Sequence, residues 1–188
     1  MPTHDDRITA TETLHRGWMN VLRVQAHLGG EDVSRILVEH PSGAAVLAYD
    51  PERKVAMTVR QTRLPLLHSG QSPLDEAVVG VTEDEPPEQT AIRECREETG
   101  IRLHEVELVG HVWMTTSSTT ERVHLFLGRY TSADRLGPGG GADGEIEELE
   151  LAERPLSDLW ACAASGALMD SKLFMLLQAL RIRRPELF

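Results

Sequence analysis

The sequence predicts an α/β protein, in which a strand-rich first half leads into a helix and strands and helices then share the remainder. Three observations carry this. Runs rich in β-branched residues dominate the N-terminal third, a proline-led and glycine-ended segment between 84 and 100 has the signature of helix termini, and the final segments place apolar residues at helical spacing.

Taken in order, "WMNVLRVQAHL", "VSRILVEH", "AAVLAYD" and "KVAMTVRQ" read as strands. The separators "GGED", "PSG" and "DPERK" hold the Gly, Pro and Asp that turns favour, so successive antiparallel pairing is the simplest arrangement. In "DEPPEQTAIRECREETG", Asp84 or Glu85 is expected to cap a helix, Pro86 to fit its first turn and Gly100 to take the left-handed stop. "LHEVELVGHVWM" and "ERVHLFLGRY" follow as strands around the polar loop "TTSSTT". Beyond a flexible stretch, "GPGGGADGE", the segment "IEELEL" reads as a short strand. "LSDLWACAASG" and "DSKLFMLLQALRI" read as helices, the last of them packed into the core.

The totals narrow the function classes. A chain of 188 residues suits one domain with a small N-terminal extension, divided near residues 42 and 43. Thirty acidic against nineteen basic residues give a formal charge of −11, which repels phosphate backbones and argues against nucleic acid as a partner. No apolar run approaches the ~20 residues of a membrane helix, and the start "MPTHDDRITA" has no secretory pattern. Two cysteines, Cys95 and Cys162, show no CxxC or framework spacing, and the expected compartment is the cytoplasm. The histidines lack zinc spacing, and neither GxxxxGK nor GxSxG occurs.

The chemistry concentrates in "RECREETGI", Arg93 to Ile101. At about 100° per residue, Glu94, Glu97 and Glu98 are neighbours on a helix, while Ile92, Cys95 and Thr99 fall on the opposite side and can pack on a sheet. Like charges at this spacing repel by a few tenths of a kcal/mol per pair, and Arg93, one turn from Glu97, cannot neutralise three acids alone. A hard divalent cation, Mg²⁺ or Mn²⁺, would. A solvated charged face is the competing reading.

The run from Gly80, "GVTEDEPPEQTAIRECREETGI", resembles the signature of the Nudix hydrolases, a glycine loop with a glutamate followed by R-E-U-x-E-E-x-G-U, where U is bulky and apolar. Arg93, Glu94, Cys95, Glu97, Glu98, Gly100 and Ile101 fill the terminal run, whereas four residues separate Gly80 from Glu85 in place of the family's five. "VRQTR" and "EAVVG" resemble elements of the branch that hydrolyses ADP-ribose and GDP-mannose, with Val78 and Val79 in place of proline and alanine.

That resemblance implies an α/β/α sandwich around a mixed sheet, with residues 1–42 as an N-terminal antiparallel β subdomain exchanged in a homodimer and 43–188 as the Nudix domain. It implies Mg²⁺-dependent cleavage of a nucleoside diphosphate sugar, with the metal held by Glu94, Glu97, Glu98 and the carbonyl of Val79. Arg63 and Glu76 would contact substrate, and Trp18 would stack on a base across the dimer. A separate carboxylate would act as base from the late loop, Glu145 first, Asp143 second and Glu147 also in range, with Glu97 the fallback. Two alternatives stay open: a catalytically weak nucleotide-sugar-binding module, and an enzyme for other nucleotides.

Overall fold

The computed structural model describes residues 5–82, 84–141 and 149–188. The chain forms two compact units, one of residues 1–42 with 112–123 and one of 43–111 with 124–188. In the first, β1 (Arg7–His15), β2 (Asn20–Leu28) and β3 (Glu31–Glu39) pair in that order as an antiparallel meander. Gly29 and Gly30, with φ of 61° and 89°, supply the left-handed pair that a two-residue hairpin turn needs. Leu22, Val24 and Ala26 alternate into the buried face of β2. β1 was not predicted: every residue of "RITATETLH" is exposed, so no buried face imprints an alternation, and pairing with β2 defines the strand. The "TTSSTT" loop is more than a connector. Within this unit Val38 N donates to Ser118 O (2.8 Å), Thr120 N to Val38 O (3.0 Å), and His40 N to Thr120 Oγ1 (2.9 Å).

In the second unit, β4 (Gly43–Asp50) is the central strand and is buried at every position. The sheet runs β7 (Glu107–Trp113), β8 (Arg122–Arg129), β4, β5 (Val55–Arg60), β9 (Glu150–Pro155), with β6 (Val78–Val81) also paired to β4. A strand buried on both faces needs a layer on each. Ala44, Val46 and Ala48 pack in one cluster with Ala91 and Cys95 of α2 (Pro87–Thr99) and with Met57, Val59 and Val78. The alternate residues Leu47 and Tyr49 turn to the other face, the side of α4 (Ser171–Arg183), which contacts β4; α3 (Leu156–Ser165) follows directly from β9. The result is an α/β/α sandwich.

Helix ends follow their chemistry, with one correction. α2 starts at Pro87 after a cap at Pro86 that makes no side-chain bond, so neither Asp84 nor Glu85 caps it. Proline at the first helical position has no N–H to satisfy and a preset φ, which removes the need for a carboxylate there. Gly100 takes the left-handed stop at φ 71°, as expected. Asp170 caps α4 by accepting from Leu173 N at 2.8 Å, and Leu173, Leu176, Leu177 and Leu180 are buried. α1 (Leu64–His68), between β5 and β6, was not predicted; it buries no residue and so leaves no apolar stripe to read.

Candidate active site

The sheet and α2 bring the acidic run against β6. Glu94, Glu97 and Glu98 share the helix, but unequally: Glu98 is 6% exposed, whereas the Glu94 and Glu97 side chains are more open. The charges of Glu94 and Glu97, with that of Glu85, are gathered by one cation. Arg93 reaches Glu85 through Nη2 (2.8 Å), Glu94 through Nη2 (2.9 Å) and Glu97 through Nη1 (2.8 Å). Burial works against the guanidinium's charge, yet these carboxylates hold its pKa above the ordinary arginine value. Gly80, opposite Ala44 in the β4–β6 ladder, allows this closeness: a Cβ there would lie 2.1 Å from Glu94 Oε1. Val79 is its neighbour in the same ladder, opposite Ala45.

Arg63 and Glu76 come together. Arg63 stands at the N-terminal boundary of α1 without a side-chain capping bond and donates through Nε (3.0 Å) and Nη2 (2.9 Å) to Glu76 Oε2; Glu76 is 5% exposed. Backbone bonds in both directions between Glu76 and Val59, at 2.8 and 3.1 Å, fix this segment to β5. Alternation then places Glu76 on the α2 side with Val78 and Gly80, and Asp75 on the opposite side. Trp18 lies in the first unit, 68% exposed and edge-on to His40 at 5.1 Å between ring centroids. Cys95 is sealed on the packing face, its thiol pushed up to about 12 by burial, and has no nucleophilic character.

The sequence reading missed what the glycine run does. Gly139, Gly140 and Gly141 all have positive φ, and Gly140 N donates to Glu98 O (2.8 Å) and Gly141 N to Glu97 O (3.2 Å). A Cβ on Gly139 would stand 2.3 Å from Glu98 O. These glycines permit close backbone approach to the end of α2, so this part of the expected flexible stretch is tied down. The signal was three consecutive glycines. Asp143, Glu145 and Glu147 lie outside the described residues.

A NUDIX domain profile matches residues 39–169. The chain belongs to the Nudix family. It is 36% identical over 151 residues to a GDP-mannose pyrophosphatase of Cronobacter sakazakii, covering 79% of this chain and 78% of that one. It is 34% identical over 151 residues to the corresponding protein of Pectobacterium atrosepticum, covering 79% and 77%. A crystal structure of an ADP compounds hydrolase superposes with a TM-score of 0.76 at 16% identity, over 97% of this chain and 96% of that one, and so shares the Nudix fold. No described helix is long and apolar enough to cross a membrane.

Nudix hydrolases generally depend on a divalent metal, and the donors here fit one: three carboxylates on one helix are hard oxygen ligands of the kind Mg²⁺ and Mn²⁺ prefer. Among the described residues, no three acidic, His or Cys side chains converge on a single point, since Arg93 draws Glu94 and Glu97 to itself. The glycine at position 80 leaves room that the Glu94 side chain fills.

Proposed function

We propose that this Nudix hydrolase cleaves the pyrophosphate bond of a nucleoside diphosphate sugar, of the GDP-mannose or ADP-ribose type, into a nucleoside monophosphate and a sugar phosphate. The observation that carries the reading is α2, which holds Glu94, Glu97 and Glu98 with Glu94 against Gly80, in a chain 36% identical to a GDP-mannose pyrophosphatase. Glu94, Glu97, Glu98 and the Val79 carbonyl would hold Mg²⁺ or Mn²⁺. When bound, the cation neutralises phosphate charge and acidifies water.

The protein's own residues supply the rest. Arg63, whose Nε and Nη2 edge is held by Glu76, keeps Nη1 and the outer Nη2 hydrogen to orient a phosphate oxygen pair, and Glu76 would contact substrate beside it. A carboxylate not committed to cations takes the proton from water, and the late loop supplies the candidates. Gly141 N donates to Glu97 O at the end of α2, and the candidate acids Asp143, Glu145 and Glu147 follow it in the sequence. We favour Glu145, then Asp143, with Glu147 also tested and Glu97 the fallback. The exposed apolar side chains Ile8, Trp18 and Ile36 of the first unit support a homodimer built through the N-terminal sheet, residues 1–42, with Trp18 stacking on a base across it.

The test is Mg²⁺-dependent release of GMP or AMP from GDP-mannose, ADP-ribose and related sugars, followed by single-turnover rates against pH for the three loop amide variants. Loss of the base should slow hydrolysis about 10²- to 10⁴-fold and flatten the acidic limb. Turnover confined to nucleoside triphosphates would sink the substrate assignment. Binding of nucleotide sugar without turnover would make the protein a binding module.

A further inference from the structure

A second cavity lies on the face of the sheet turned away from α2, and it is built around two arginines. Thr58 and Arg60 on β5 point to this face, because Met57 and Val59, which alternate with them, belong to the cluster with Ala91 and Cys95. Arg154 on β9 is paired with Ala56, two residues before Thr58 on the same side, so its guanidinium joins that of Arg60. Both converge on Asp75. Arg60 donates to it through Nε (2.8 Å) and Nη2 (3.1 Å), and Arg154 through Nη2 (2.7 Å). Burial opposes the charge of Asp75, but the two guanidiniums hold its carboxyl below the usual range.

Asp75 is the carboxylate bonded to both guanidiniums, Glu150 adds a negative charge opposite Arg60 in the β5–β9 ladder, and each guanidinium still has five donors of which these bonds use few. The other acid on the wall, Asp158, sits in the first turn of α3, where the helix dipole favours its charge, and accepts from Ser157 Oγ at 3.2 Å. It does not engage the arginines among the described residues. The cavity measures about 310 Å³, and its remaining wall is largely apolar, formed by Leu74, Leu159, Leu168 and Met169. Size and lining match a small organic molecule more than an inorganic ion.

We propose that this cavity binds a small organic anion, a carboxylate or phosphomonoester carried on an apolar body, with its charged end on Arg60 and Arg154 and its body against Leu159 and Met169. The site is separate from the acidic helix, since the sheet stands between them.

Cys162 gives a direct readout. It lines the same cavity and is exposed, whereas Cys95, the other cysteine, is sealed and unreactive. Alkylation of Cys162 by iodoacetamide, followed by intact mass, is measured with millimolar phenyl phosphate, phenylacetate or inorganic phosphate. Phenyl phosphate, phenylacetate or both should slow alkylation several-fold and inorganic phosphate should not; which aromatic probe protects identifies the anion class. Arg154→Gln should abolish protection, and so should Met169→Trp, which fills the mouth from an exposed loop without touching the ion pairs. Glu98→Gln should leave it intact. No protection by either aromatic anion overturns the proposal, as does equal protection by inorganic phosphate, protection that survives in both cavity variants, or protection that disappears in Glu98→Gln.

Discussion

Replacing either of two glycines by alanine should damage this protein in opposite ways. At Gly80 the new Cβ would lie 2.1 Å from Glu94 Oε1 and 2.2 Å from its Cγ and Cδ, against an ordinary carbon contact of about 3.5–4 Å. The obstruction is one flexible side chain. Gly80 is not among the residues with positive φ, so alanine is compatible with its backbone and gains about 0.4–1 kcal/mol by restricting the unfolded chain. Bending Glu94 off its rotamer to clear the methyl costs about 0.5–1.5 kcal/mol, and the two nearly cancel. Gly80→Ala should therefore unfold in urea within about 1 kcal/mol of the parent. Function should not survive so well, because an ångström of misplacement at a reacting centre lowers rates about 10²-fold, or nearly 3 kcal/mol of barrier.

Gly139 presents backbone instead. Its Cβ would stand 2.3 Å from Glu98 O and 2.7 Å from Thr99 C, at a φ of 73°. The left-handed conformation costs alanine about 1–2 kcal/mol, and loss of the bonds from Gly140 and Gly141 to Glu98 and Glu97 adds roughly 0.5–1.5 kcal/mol each. A destabilisation of about 2–5 kcal/mol should appear as a lower urea midpoint. Parent-like kcat in Gly80→Ala would show that Glu94 does not act from its observed position. Parent-like stability in Gly139→Ala would refute the tie between the glycine run and α2.

Glu98→Gln keeps the shape of the 6%-exposed side chain but removes its charge, and kcat should fall about 10²-fold or more with the melting temperature nearly unchanged; normal turnover in Mg²⁺ would remove Glu98 from the site. Arg53 donates to buried Asp50 (2.6 Å) and to both oxygens of Glu153 (2.7 Å each), so Arg53→Ala should cost about 2–4 kcal/mol at neutral pH, read by urea unfolding. Both carboxyls are held below their ordinary values, Glu153 chiefly by the Arg53 bonds and Asp50 by bonds that outweigh its burial. Their stabilisation is therefore complete above the unfolded carboxylate pKa near 4 and lost as pH falls through the folded values, and Arg53→Ala should flatten that acid loss. Sedimentation at micromolar concentration should show a dimer; an active monomer would remove the N-terminal sheet as the interface and Trp18 from the site.

What was legible in the sequence was local. The acidic face of α2, its proline start and glycine stop, and the leucine stripe of α4 each repeat within one or two turns, and each is present. What was hidden depends on partners far along the chain. Nothing near Asp75 announces Arg154, and nothing in the glycine run announces the carbonyls of Glu97 and Glu98. β1 and α1 were unreadable for a simpler reason: neither buries a face, and periodicity records burial.

The shortened loop between Gly80 and Glu85 raised a sharper question, because losing one residue there should pull Glu85 away from the helix it serves. The geometry answers it. Glu85 Oε1 accepts from Arg93 Nε at 2.9 Å and Nη2 at 2.8 Å, and Arg93 in turn bonds Glu94 and Glu97. At the other end of the loop Gly80 still sits in register opposite Ala44, with its missing side chain accommodating Glu94. Both ends of the loop therefore converge on the same helix, one through Arg93 and the other against Glu94. The proline pair makes this possible. Because Pro86 and Pro87 begin α2 without a carboxylate cap, Glu85 is released from the helix terminus and available to Arg93, so the departure from the family's spacing and the absence of a side-chain cap are parts of one arrangement.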